Sequence, residues 1–259
     1  MRTAHTLFAL ALASVYTAAQ AGALDDAKQR GRLVVSLDYV VPEYKASAKF
    51  RTPATIDNAL AEDLAKRLQL PLATVRNKGG LPKEGNIFLT TLADPSAIPP
   101  THTAIPVGYS VAQMAIMRSD TTIKRWDQLK GRKVCVSEGG HDVGTLAAKY
   151  GAIEQVYKAP ADALIAVRTG VCDAAVHDSA MLEELIKLPE WKKFSARLPA
   201  SSRSTLAFVV PANDGKTIAA LRQATKSWGD AGYADTLVKK AVQAIAFEVY
   251  LDQDVPDCH

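Results

Sequence analysis

The chain has 259 residues, of which 48% are apolar, enough to fill sizeable cores in one large domain or two lobes. Its formal net charge is only +4, and its basic residues are scattered without an aromatic-interleaved patch, which argues against nucleic acid as a partner.

Arg2 and His5 precede an apolar run over 6–19 that ends at Ala19-Gln20-Ala21. A basic start, a short apolar stretch and a small-x-small site form the pattern of a secretory signal peptide, residues 1–21. A transmembrane anchor is the alternative reading, but the run falls short of the ~20 apolar residues that a span needs. No cysteine stands near the cleavage site, so a lipid-anchored form is not expected, and no later segment approaches a span. The expected product begins near Gly22, carries +3 after the loss of Arg2, and is soluble in an oxidising compartment, a periplasm.

Residues 24–30 read as a short helix stopped by Gly31, and 33–37 (LVVSL) as an apolar strand leading to Asp38, Tyr39, Pro42, Glu43 and Tyr44. Over 60–70, Leu60, Ala61, Leu64, Ala65 and Leu68 recur at helical spacing opposite Glu62, Asp63, Lys66 and Arg67, until Pro71 ends the run. A strand over 73–76 is possible. From 78 to 106 five prolines exclude a long helix, although 87–92 has a strand pattern. A β-like run covers 110–118.

The stretch 126–181 carries the most information. A strand (133–137) runs into Gly139, Gly140, His141 and Asp142, about two dozen helical-looking residues follow, and a second strand over 171–176 leads to Asp178. Strands that end in a glycine-rich helix start and in a carboxylate build ligand sites outside the carboxyl ends of open α/β sheets. Helical patterns follow at 181–188 and 190–194, then a strand at 204–210 and two amphipathic helices, 217–231 and 234–246. This alternation predicts an α/β fold with largely parallel sheets.

Cys135 and Cys172, one on each strand, either bridge neighbouring strands or remain two buried thiols; a bridge would close a loop of about forty residues, worth about 3–4 kcal/mol in the chain-entropy model. Cys258, next to last, reads as a free thiol of the tail, and with His259 it lacks the spaced partners of a metal site.

Five segments in order, LDDAKQRGRLVVSLDY, DLAKRLQL, IKRWDQLKGRKVCVSEGG, GVCDAAVHDS and STLAFVVPANDGKTIAALRQA, resemble the periplasmic family 3 solute-binding proteins, the polar-amino-acid receptors of ABC importers. The resemblance covers nearly the whole chain after the leader, and is weakest over 51–104. It implies a two-lobed periplasmic binding protein (type II) fold, with a ligand cleft between lobes joined by two crossing strands near 110–116 and 206–210. Lobe 1 would be 22–109 plus 205–259, and lobe 2 would be 110–204. Members with cysteines at both of these positions resemble the general amino-acid-binding subgroup, which implies a Cys135–Cys172 disulfide.

The resemblance also implies site residues. Asp178 falls where the family places the acid that takes an α-ammonium; as Asp178-Ser179 precedes an apolar run, helix capping is its other reading. Gly139, Gly140 and His141 match a helix start that gives N–H groups and hydroxyls to a carboxylate, here with the hydroxyls lost. The first-lobe arginine of the family, which clamps that carboxylate, has no counterpart: no Lys or Arg stands between Lys83 and Arg118. A hydroxyl cannot replace bidentate recognition at equal strength. Thr90, Thr91 and His102 are the nearby polar residues, and Tyr39, Tyr44 and Tyr109 are candidates for an aromatic wall. The family's Gly-Phe-Asp is here Thr55-Ile56-Asp57.

The implied function is capture of a small amine- or amino-acid-like ligand for an inner-membrane ABC permease by a monomer without cofactor, metal or nucleic acid. Two other readings stand beside it. One is an accessory protein with a degenerate cleft. The other is a dehydratase-like enzyme on the same fold, for which Glu138, His141, His177 and Asp178 would supply acid–base chemistry, although no nucleophile–base pair or phosphate loop is present.

Overall fold

The computed structural model describes residues 22–42, 49–141, 143–200 and 202–252. The leader, Tyr44 and Cys258 therefore lie outside the described residues.

The helices are α1 (Ala23–Arg30), α2 (Asp57–Arg67), α3 (Thr145–Tyr150), α4 (Pro160–Arg168), α5 (Ser179–Leu185), α6 (Gly215–Ala231) and α7 (Tyr233–Asp252). The strands are β1 (Leu33–Leu37), β2 (Leu72–Arg76), β3 (Ile87–Leu92), β4 (His102–Val111), β5 (Gln113–Met117), β6 (Lys133–Ser137), β7 (Ile153–Tyr157), β8 (Ala174–Asp178), β9 (Ala196–Leu198) and β10 (Ser204–Pro211). They form two five-stranded sheets, ordered β2-β1-β3-β10-β4 and β7-β6-β8-β5-β9. Within each, three strands run parallel; β10 in the first and β5 in the second run antiparallel to both neighbours. The sheets are thus more mixed than the alternation of elements suggests.

Apolar residues on one face of the first sheet, among them Leu33, Val35, Leu37, Leu89 and Phe208, pack with Leu60 and Leu64 of α2 and Trp228 of α6. In the second sheet Val134, Val136, Ala174 and Val176 pack with Leu146 of α3 and Leu198. The opposite face, with Cys135 and Ala175, packs with Leu164 and Leu182. A disulfide joins Cys135 in β6 to Cys172 just before β8.

Four expectations change. The loop-rich region contains much of β4, which tolerates Pro106 because it is an edge strand and can lack one ladder donor. The helical-looking stretch before β8 includes β7, an edge strand whose mixed exposure hides its pattern. The chain passes between sheets at Ala112 and returns between Leu198 and Ser204, so 206–210 lies within the first sheet, paired with β3 and β4. Finally α7, expected with lobe 1, packs on α4 and α5 of the second sheet's layer. Its end is tied there too: Arg51 pairs with both Asp252 and Asp162 of α4, and Glu248 accepts from the N–H and hydroxyl of Thr52.

Candidate functional site

The carboxyl ends of β1 and β3 meet those of β6 and β8. From the first sheet come Asp38 and Tyr39, one step beyond β1, Thr90 and Thr91 on β3, and Tyr109 on β4. From the second come Gly139 and His141 in the turns after β6, and Asp178 at the end of β8.

Asp178 caps the helix that follows it and also reaches the opposite sheet. Its Oδ1 accepts from the Ala180 N–H at 3.2 Å, which caps α5, while its Oδ2 accepts from the Tyr109 hydroxyl of the opposite sheet. Burial raises the Asp178 carboxyl above the usual range, and the Tyr109 and backbone donors and His141 only partly offset this. Burial and the adjacent Asp178 push the Tyr109 phenol up, so it stays protonated and donates. A helix cap does not require a partner on another sheet; Asp178 has one.

Gly139 has φ +80, and a Cβ there would lie 2.5 Å from the Tyr39 ring, so only glycine allows this approach. Thr91 reaches His141, Oγ1 to Nδ1 at 3.3 Å, again between sheets. Burial holds the His141 imidazole below its ordinary pKa against the pull of Asp38 and Asp178. Asp38 is held from its own sheet by three donors: its two oxygens share the Thr90 hydroxyl at 2.8 and 2.9 Å and accept from the Thr91 N–H and Asn77 Nδ2, both at 3.2 Å.

The glycine-rich helix start is a correction. The Gly140 N–H closes a turn on the Ser137 carbonyl at 3.0 Å, and α3 begins only at Thr145. Two N–H groups at that helix start serve a carboxylate of the protein itself: Glu154 accepts from Gly144 and Ala147 at 2.7 and 2.8 Å. The Gly140 part of the proposed N–H cradle is therefore already spent. His102 opens β4 and turns away from the site, with its Nε2 at 2.8 Å from the Pro82 carbonyl. His177 also leaves the site. Side chains alternate along a strand, so it turns from the Asp178 face into the core. There it meets Ser137, and burial lowers its pKa to about 4.

Asp57, at the first turn of α2, is the residue that the sequence reading undervalued. It is only 2% exposed, its Oδ2 has no hydrogen-bond partner, and its pKa is raised to about 7, chiefly by burial and then by the charges of Asp38 and Asp178. No local signal marked it, since an acid in the first turn of a helix is ordinary; only the fold shows that it is buried. Among the described residues no group of three or more His, Cys, Asp or Glu is placed to hold a metal ion.

Two mixed α/β layers that meet at the carboxyl ends of their strands define the two-lobed fold of periplasmic binding proteins, type II. Among solved structures, the chain is similar to a mutant of ArgBP from T. maritima (TM-score 0.57, 19% identity, 85% of this chain and 99% of that one). It is also similar to an ancestral amino acid-binding protein described as a precursor of cyclohexadienyl dehydratase (0.55, 20%, 85% and 99%). A third is AbpA of Streptococcus pneumoniae, an amino acid ABC transporter substrate-binding protein bound to L-arginine (0.54, 15%, 84% and 97%). No family model and no curated protein sequence matches the chain. At these identities the likeness establishes the fold.

Proposed function

We propose that the protein is a periplasmic solute-binding receptor that captures a small polar, amine- or amino-acid-like ligand and delivers it to an ABC permease. The observation that carries this reading is Asp178: a part-buried acid, raised in pKa, at the junction of the two sheets, where an arriving ammonium would restore the charge partner it lacks. The names of the solved neighbours support it, as two are described as amino acid-binding or ABC transporter substrate-binding proteins. Export fits the leader pattern over 1–21 and the Cys135–Cys172 disulfide. In this reading 22–111 and most of the chain after 204 form one lobe, 113–198 forms the other, and α7 is shared between them.

Binding rather than turnover belongs to the same proposal. The neighbour described as a dehydratase precursor makes turnover of cyclic acids the control experiment. A thermal-shift screen of the mature chain with amines, amino acids and small carboxylates tests capture. A true ligand at hundreds of times its dissociation constant stabilises by about 3 kcal/mol. No shift with any compound would withdraw the receptor reading. A shift that survives in Asp178→Asn would leave Asp178 only its capping role.

A further inference from the structure

We propose that the site selects a small organic dication without a carboxylate, a diamine or guanidino-amine, whose charge is shared by Asp178 and Asp57. This rests on the receptor reading above and narrows its ligand.

Three acids gather here, and among the described residues the side-chain donors to Asp38 and Asp178 are Thr90, Asn77 and Tyr109, not Lys or Arg. They are not equivalent. Asp38 already has three donors, from Thr90, Thr91 and Asn77. Asp178 keeps the Tyr109 and Ala180 donors. Asp57 is buried with Oδ2 unpartnered, and because α2 returns between the parallel strands β1 and β2, its first turn lies at the carboxyl edge of β1, the edge that also carries Asp38. A buried carboxyl oxygen without a donor is rare and costly, and a bound cation with N–H donors satisfies it.

The means of holding a ligand carboxylate are reduced at the same time. No Lys or Arg occurs between Lys83 and Arg118. The N–H groups of Gly140, Gly144 and Ala147 are committed to Ser137 and Glu154. Burial disfavours the charged form of His141. An α-carboxylate brought among three acids would meet repulsion without a compensating cation among the described residues, whereas a second positive charge would be attracted. Arg76 is the exception to examine. It lines a hollow of about 380 Å³ beside Asp38 and Thr90, but no residue of the second sheet's layer lines that hollow.

Matched pairs that differ by the carboxylate test this directly: putrescine against ornithine, cadaverine against lysine, and agmatine against arginine, by titration calorimetry of the mature chain. We expect at least one amine to bind ten-fold or more tightly than its amino acid. Asp57→Asn should weaken that amine at least ten-fold while weakening n-butylamine much less. An amino acid that equals or exceeds its amine overturns the inference and leaves solute capture standing; loss of that binding in Arg76→Ala would identify the missed cation. Equal weakening of diamine and monoamine in Asp57→Asn overturns the role of Asp57. Silence from all six compounds overturns the inference, and capture itself falls only if the wider thermal-shift screen is also blank.

Discussion

The phenol of Tyr109, on β4 of the first sheet, donates its proton to Asp178, on β8 of the second. The bond spans the two layers, so it contributes both to holding the acid and to holding the layers together. Tyr109→Phe leaves the ring and removes the donor from a part-buried carboxylate, which costs about 1–3 kcal/mol. In an Asp178→Asn background the same substitution should cost less. Chemical denaturation of the four proteins in a double-mutant cycle measures this, and strictly additive losses would show that the contact has no energetic weight.

Tyr39 and Gly139 make the second contact between the layers. Gly139→Ala places a Cβ 2.5 Å from the Tyr39 ring in a left-handed backbone. Strain of this type costs about 1–3 kcal/mol. The companion change Tyr39→Ala should recover the clash but not the backbone strain, giving a partial rescue in melting temperature. Full stability in the single Gly139→Ala variant would mean that the layers do not close on this contact.

The two buried titrating groups give opposite pH slopes. Asp57 titrates at about 7 in the fold, against 3.8 for the free side chain. The folded state therefore binds the extra proton in that window, and stability falls as pH rises from about 4 to about 7. His177 titrates at about 4 in the fold against 6.5, so the unfolded state binds the extra proton and stability falls as pH drops from about 6.5 to about 4. Below 6.5 the two offset each other. At pH 8 Asp57→Asn should be more stable than the parent by roughly 2–4 kcal/mol, and at pH 3 the gain should vanish. Urea midpoints at the two pH values decide this; an equal gain at both would assign it to packing.

The Cys135–Cys172 bridge closes a separation of 37 residues around α3, β7 and α4. In the chain-entropy model its loss costs about 3–4 kcal/mol. Mass spectrometry without reduction should find the two cysteines in one linked peptide pair. Denaturation with and without reductant should differ by that amount, and two alkylatable thiols in the native protein would refute the bridge.

Much of the second layer was legible in the chain. The apolar runs of β6 and β8, Asp178 at the end of the latter and Gly139 just after the former all lie within one local stretch. Where the sequence misled, long-range pairing was the reason. β7 and β4 are edge strands whose alternation is weak or interrupted by proline, and their identity depends on neighbours far along the chain. The glycines after β6 look like a helix start because local pattern does not record which carbonyl a given N–H will find. Gly140 finds Ser137, and Glu154 takes the N–H groups of Gly144 and Ala147.

By itself the sequence determined the alternation of strands and helices, the presence of two cysteines in the 126–181 stretch, and the absence of Lys or Arg between Lys83 and Arg118. These are properties of local periodicity and composition. Tertiary structure alone decided that Tyr109 would cap Asp178, that α7 would lie on the second layer, and that Asp57 would be buried near two other acids without a donor. Charge coupling and desolvation depend on distance in space, and chain order carries neither.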